Sequence, residues 1–210
     1  MGILLKPYKY FQKTIYSEEY VNIKIKQFVE NDVDGILDIE ITPLLEAIID
    51  QHLEILNILI LHPNIDVNQV SNIYKNNYLN NNTPLLCAIH QKNLEIVKIL
   101  LSHPNIDVNK EVINKETNKS GNITPLIYAI QENNLETIRL LLSHPKIEIN
   151  QISDLEIENK FLDNSPLIES IRLNQLDIAK ILLSNSNIDV NKVHMLRCND
   201  VIKQIFPITF

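Results

Sequence analysis

Residues 83–109 read TPLLCAIHQKNLEIVKILLSHPNIDVN, and this stretch decides the fold because similar copies of it recur along the chain. Its opening Thr-Pro-Leu occurs at Thr42, Thr83 and Thr124 and returns as Ser-Pro-Leu at Ser165, each start 41 residues after the one before. A fixed period of about 20–50 residues is typical of stacked-repeat proteins, in which each unit buries its apolar face on its neighbours. The period therefore predicts an elongated array of similar units.

Each copy contains signals for two short helices. Thr83 is a good N-cap, and Pro84 fits the first helical position, where no backbone donor is needed. Asn93 tolerates the left-handed conformation that ends a helix. Residues 94–103 are apolar nearly all round, which indicates a second helix covered on several sides. Pro104 stops that helix, and an extended Ile-Asp-Val-Asn loop follows.

The order Thr-Pro-Leu-x-x-Ala-Ile, Leu-Glu-Ile-Val-Lys-Ile-Leu-Leu and Ile-Asp-Val-Asn resembles the ankyrin repeat, and the resemblance covers residues 42–191. It implies an all-α, helix-turn-helix solenoid with long inter-repeat loops, called fingers below. It also implies a protein that binds other proteins through its concave helix face and its fingers. We predict four units, at 42–82, 83–123, 124–164 and 165–205.

The chain departs from the family pattern in its length and in its turns. The family period is about 33 residues, and most of the extra length falls between the Ile-Asp-Val-Asn loop and the next Thr-Pro-Leu. We therefore expect long fingers, and whether they form regular hairpins is left open. The usual glycine between the helices is replaced by Gln51, Lys92, Asn133 and Asn174. Gln and Lys are unfavourable in left-handed geometry, so the first two turns are predicted to differ or to be strained.

The two ends carry separate predictions. Residues 1–41 are expected to form an N-terminal helical cap, with a helix from Ser17 through Val29. Residues 192–210 allow two interpretations. Pro207 lies 41 residues after Pro166 and fits the start of a truncated fifth repeat. Alternatively, apolar residues spaced about 3.5 apart over 194–206 form a helix that covers the last unit.

Composition limits the possible functions. The net charge is −7 and the chain contains only three arginines, so nucleic-acid binding is not expected. No apolar run is long enough to span a bilayer, so membrane insertion is not expected either. Cys87 and Cys198 lack metal-ligand spacing and are interpreted as reduced thiols, which favours the cytoplasm, with the nucleus as an alternative. No cofactor motif is present.

Candidate catalytic and metal-binding residues are weak. His62, His103 and His144 recur in successive units, too far apart to share a metal ion. We expect each imidazole to bond to the last-turn carbonyls of its helix. Cys87 and His90 lie three residues apart, but we interpret them as two exposed residues of the concave surface. The sequence therefore predicts a protein that is not an enzyme.

The predicted binding surface follows from the first helix of each unit, where Leu, Ala and Ile face the core and the intervening positions face the concave groove. Aromatic and arginine side chains dominate interface energies, which favours the tyrosines of the first finger and of the groove. The predicted partner-binding residues are Tyr74, Tyr78, His90, Tyr128, Gln131, Glu132 and Arg172.

Two other functions remain open at this point. The chain could be a non-catalytic targeting or scaffold segment of a longer protein. It could also associate with itself through an uncovered face of the last repeat, and otherwise we expect a monomer.

Overall fold

The computed structural model describes residues 22, 25–31, 35–71, 82–114, 121–157, 160–191 and 196–197. In these ranges the helices form four successive antiparallel pairs, joined by tight turns. The pairs are α1 (Pro43–Ile49) with α2 (Leu53–Ile60), α3 (Pro84–His90) with α4 (Leu94–Leu101), α5 (Pro125–Gln131) with α6 (Leu135–Ser143), and α7 (Pro166–Arg172) with α8 (Leu176–Leu183). The predicted helix-turn-helix solenoid is confirmed.

The first helix of each pair begins at the predicted cap. The hydroxyl oxygens of Thr42, Thr83 and Thr124 each accept the backbone N–H three residues on, at 3.2 Å, and that of Ser165 does so at 3.4 Å. Proline follows each cap. Because the cap satisfies an N–H that has no partner inside the helix, the repeated Thr/Ser-Pro fixes where each unit starts.

The turn between the paired helices is the same in all four units. Gln51, Lys92, Asn133 and Asn174 have φ between 51° and 55°, in the left-handed region. The alternative that the first two units turn differently is therefore wrong. A side chain with a Cβ costs roughly 1–2 kcal/mol in this conformation, so Gln51 and Lys92 are strained.

The core runs through the stack without interruption. Helix α1 packs on α3, α3 on α5, and α5 on α7, while the second helices α2, α4 and α6 stack beside them. The seam consists of buried aliphatic side chains at equivalent positions, such as Leu45, Leu86 and Ile127. The loop after each pair contributes its alternate apolar residues, such as Ile106 and Val108.

The fingers contain β-hairpins, which add strands to the predicted all-α solenoid. The strands are β1 (Ile25–Asn31), β2 (Gly35–Ile41), β3 (Val112–Asn114), β4 (Gly121–Ile123), β5 (Ser153–Ile157), β6 (Lys160–Asn164) and β7 (Leu196–Arg197). Strands β1 and β2 form a two-stranded sheet, and β3 to β7 form one antiparallel sheet in sequence order. In the first long finger, Ser71 and Asn82 form an isolated bridge.

The helical cap predicted for residues 1–41 is wrong where the structure describes it. Residues 25–31 form β1, which pairs with β2 in the register Ile25 to Ile41. The prediction overlooked the alternation of apolar and acidic residues over 37–41, which is the period of a strand. Apart from Asn22, the part of the predicted helix before residue 25 lies outside the described residues.

The helix predicted over 194–206 is contradicted by β7. Leu196 pairs with Leu162, and one period earlier Leu155 pairs with Gly121 in the same way. Residues 196–197 thus pair as a strand with the edge of β6. Strand β7 takes the place of β5 in the next finger, and the other residues of 192–210 lie outside the described ranges.

Candidate functional site

Two positions of each first helix form a line across the stack, which we call the inner row. They are the fourth and seventh residues after the Thr/Ser cap. The fourth-position residues are Glu46, Cys87, Tyr128 and Glu169, and the seventh-position residues are Ile49, His90, Gln131 and Arg172. The seventh residue of one unit bonds to the fourth residue of the next at His90–Tyr128 and at Gln131–Glu169. The row is therefore built from contacts between units.

Tyr128 and His90 join the second and third units. The Tyr128 hydroxyl and His90 Nδ1 share a hydrogen bond, and the two rings stack with their centroids 6.2 Å apart. Tyr128 is only 6% exposed, so the expectation that it projects into the groove is wrong. Its ring fills the seam, and its hydroxyl holds the half-buried His90 in position.

Glu169 is the centre of a second contact between units. Its carboxylate is fully buried and accepts hydrogen bonds from Arg172 Nε at 2.9 Å, Gln131 Nε2 at 2.8 Å and Asn164 Nδ2 at 2.8 Å. Arg172 Nη2 adds contacts of 2.6 and 2.7 Å to the two carboxylate oxygens. A buried carboxylate needs such partners, because burial without them is costly. The network ties the third unit, the β6 strand and the fourth unit together.

Two glutamines at non-equivalent positions add further links between units. Gln91 Nε2 donates to the Ile49 carbonyl at 2.9 Å, and Gln175 Nε2 donates to the Ile130 carbonyl at 2.8 Å. Each bond crosses from one unit to the one before it. The surface beside the first helices is therefore held by side chains that bridge neighbouring units.

A family model described as "Ankyrin repeats (3 copies)" matches residues 17–112, 67–153 and 110–194. The chain belongs to the ankyrin-repeat family. Ankyrin repeats are generally protein–protein interaction modules and are typically non-catalytic. A search of curated proteins found no match to the chain.

The predicted binding residues differ in their exposure and in their bonds. His90, Gln131 and Glu132 are half-buried on or beside the inner row, while the side chain of Arg172 is 34% exposed and its guanidinium is bonded to Glu169. Glu132 also forms an ion pair of 3.3 Å with the exposed Lys92 of the preceding unit. Tyr74 and Tyr78 lie outside the described residues.

The roles of Glu169 and Asn164 do not follow from the expectation that the intervening positions of each first helix, Glu169 among them, face the groove. Its position in the repeat could have indicated the role of Glu169, because Glu169 is equivalent to Tyr128 and Cys87 of earlier units. That place faces the seventh residue of the preceding unit. A polar residue there needs partners from outside its own helix.

Cys87 is not an exposed residue of the concave surface. Its side chain is buried in the seam, and burial raises the pKa of its thiol to about 12. Since the thiolate is the nucleophilic form, Cys87 is inert at neutral pH. His90, three residues away, bonds to Tyr128.

The recurring histidines also differ from the prediction. Nδ1 of His62, His103 and His144 each accepts the backbone N–H two residues on, at 3.2 Å, and does not bond to the last-turn carbonyls. The imidazole therefore closes the His-Pro turn that follows each second helix. In the ranges given above, no group of three or more His, Cys, Asp or Glu is arranged to hold a metal ion.

Among the helices that the structure describes, none has both the length and the apolar character of a membrane-spanning segment.

Proposed function

We propose that this ankyrin array binds a partner protein through the seventh-position side chains of the inner row and the adjoining fingers, and that it catalyses no reaction. The observation that carries the proposal is the set of hydrogen bonds along the inner row, which fixes His90 and Gln131 to the following unit and Arg172 to Glu169 of its own helix before any partner arrives. A surface ordered in advance loses less conformational entropy on binding. Such a surface suits recognition without rearrangement of the helices.

The charge distribution favours a partner with a basic segment. Residues 42–71 contain four acidic side chains, Glu46, Asp50, Glu54 and Asp66, and no Lys or Arg. Asp50 is exposed beside the inner row. Complementary charge increases the rate of association and suppresses wrong partners. We therefore place the basic part of the partner over the inner-row side of the first unit, against Glu46 and Asp50, and away from Glu54 on α2.

The test compares paired charge removals on two faces of the array. Asp50→Asn with Glu132→Gln removes two carboxylates beside the inner row. The matched control, Glu54→Gln with Glu136→Gln, removes two from exposed positions of α2 and α6. Immobilised wild-type and variant proteins are used to capture partners from cell extract over a salt series. The proposal expects the inner pair alone to release the captured protein at lower salt, with similar melting temperatures.

Two results would overturn this proposal. Equal retention by the two charge-removal variants would mean that the partner does not contact the inner row. Capture of nucleic acid in place of protein would exclude the proposed partner class.

The proposed compartment is the cytoplasm, with the nucleus as the alternative. Cys87 is a free thiol within the described ranges, which fits a reducing environment. A scaffold or targeting role within a longer protein would use the same binding surface.

A further inference from the structure

The fourth unit exposes apolar side chains that every earlier unit buries. Ile171 is 62% exposed and Val190 is 59% exposed. The residues one, two and three periods before Ile171 are 0% exposed, and those before Val190 are at most 3% exposed: Ile130, Ile89, Ile48, Ile149, Val108 and Val67. In those units the next helix pair completes the core. A terminal repeat that acts as a cap usually has a polar outer face. The fourth unit instead has the face of an interior unit.

A series of asparagines at equivalent positions, which we call the asparagine ladder, is a second feature that continues from each unit to the next. Asn68, Asn109 and Asn150 each donate from Nδ2 to a carbonyl 37 residues on, at 2.7 Å. Each also accepts, at 2.8 to 2.9 Å, the backbone N–H found 39 residues on. Both partners belong to the loop of the following unit. The side chain thus recognises the backbone of that loop and fixes its position.

Asn191 is the next member of this ladder. Its backbone N–H donates to Asp189 Oδ1 at 2.9 Å, as that of Asn68 donates to Asp66 at 2.9 Å. The loop around Asn191 therefore has the conformation of the earlier loops. Its amide is placed to bond to the loop of one more unit.

Strand β7 and the sequence that follows it fit the start of a further unit. Strand β7 pairs with β6 in the register that β5 has with β4, one period earlier. Pro207 then follows 41 residues after Pro166, the first residue of α7.

We propose that the open face of the fourth unit is a stacking surface for a fifth ankyrin unit, which this chain begins at β7 and Pro207. The apolar side chains, the Asn191 amide and the β6 edge are then all used as in the interior of the array. The first unit of a second copy fits less well. Its ladder position is already taken, since Asn22 bonds to the Asn64 carbonyl and the Asp66 N–H. The proposal concerns the end of the array and does not depend on the partner of the inner row.

The experiment completes the fifth unit. A copy of residues 170–191 is joined directly after Phe210, which preserves the 41-residue period. The control carries an extension of the same composition in scrambled order. The proposal expects the ordered extension alone to raise the thermal midpoint by several degrees and to increase the denaturant m-value. Both changes follow from the additional surface buried in one cooperative unit.

The reactivity of a thiol introduced at one residue measures whether the open face of the fourth unit becomes buried. Ile171→Cys is introduced together with Cys198→Ser, so that the new thiol is the accessible one and Cys87 remains buried. Its reaction with a thiol reagent should slow at least about tenfold in the ordered extension, because the site then opens only by local unfolding. The scrambled extension should leave the rate unchanged.

The asparagine ladder gives a readout that general stabilisation cannot imitate. Asn191→Ala should leave the midpoint unchanged in the 210-residue chain and lower it in the ordered extension. Asn150→Ala, which breaks an existing pair of bonds, should lower the midpoint in both.

Three results would overturn the proposal. An ordered extension that leaves the midpoint unchanged and the introduced thiol fully reactive would mean that the face does not stack. Protection of the introduced thiol in the unextended chain that is lost on dilution would assign the face to a second copy. Protection in an unextended monomer would mean that residues 198–210 cover it alone.

Discussion

At the scale of single residues, the array holds four left-handed turns without glycine. Gln51 is exposed, and its φ of 55° places its Cβ close to the following carbonyl. Gln51→Gly should therefore raise the free energy of unfolding by about 0.5–1 kcal/mol, because the relief of strain exceeds the added entropy of the unfolded chain. Urea denaturation measures this change. Asn133→Gly is the control and should gain less, since Asn tolerates the same geometry. If both substitutions raised the free energy of unfolding equally, relief of strain at Gln51 would not be the cause.

His144 makes stability depend on pH. Burial and then the nearby Lys146 charge lower the pKa of its imidazole, and Nδ1 accepts the Lys146 backbone N–H. Because the folded-state pKa lies below the unfolded value, the unfolded chain takes up the proton first. The contribution of His144 is complete above the unfolded pKa and is lost as the pH falls through the folded pKa.

The matched variant is His144→Asn. The fourth unit has Asn185 in this place, and its Oδ1 accepts the Asn187 N–H at 3.0 Å, so the substitution keeps the acceptor and removes the titration. The melting temperature should fall less for the variant than for the wild type as the pH is lowered from about 7.5 to about 5, the range in which histidine titrates. Parallel curves would contradict this account of the histidine turn.

At the scale of elements, Glu169 holds α5, β6 and α7 together. Arg172→Ala leaves the buried carboxylate without its cation. We expect a loss of about 2 kcal/mol, less than the roughly 3–5 kcal/mol typical of a fully buried pair, because 34% of the Arg172 side chain is exposed. Glu169→Gln combined with Arg172→Gln should lose less than Arg172→Ala, since no charge remains buried. Urea denaturation measures the two losses of stability. If Arg172→Ala left the free energy of unfolding unchanged, the ion pair would not form in solution.

The helices could be predicted from the sequence because their signals are local. The Thr83 cap, Pro84 and the apolar pattern all lie within one unit, and the same signals recur in each copy. The strands depend on partners elsewhere in the chain, such as Leu196 on Leu162, and a helical spacing misled the prediction there. The prediction that Tyr128 faces the groove was wrong for a similar reason. Tyr128 is buried by residues of a neighbouring unit, and the prediction treated each helix alone.

At the scale of the whole molecule, stability is a sum over neighbouring units, so one substitution has different costs along the array. Ile89 and Ile171 occupy equivalent positions, but Ile89 is 0% exposed and Ile171 is 62% exposed. Ile89→Ala should cost about 2–4 kcal/mol, because it removes buried methyl groups and leaves a cavity between the second and third units. Ile171→Ala should change the stability of the chain by less than about 0.5 kcal/mol.

The comparison also tests how the array unfolds. If the units unfold together, Ile89→Ala lowers the midpoint of one transition and leaves its m-value intact. If the loss at the seam uncouples the units, the m-value falls, because a smaller part of the chain unfolds in each step. Equal costs at the two positions would mean that the fourth unit is covered in solution. The interior seam and the open face are thus distinguished by a single pair of alanine variants.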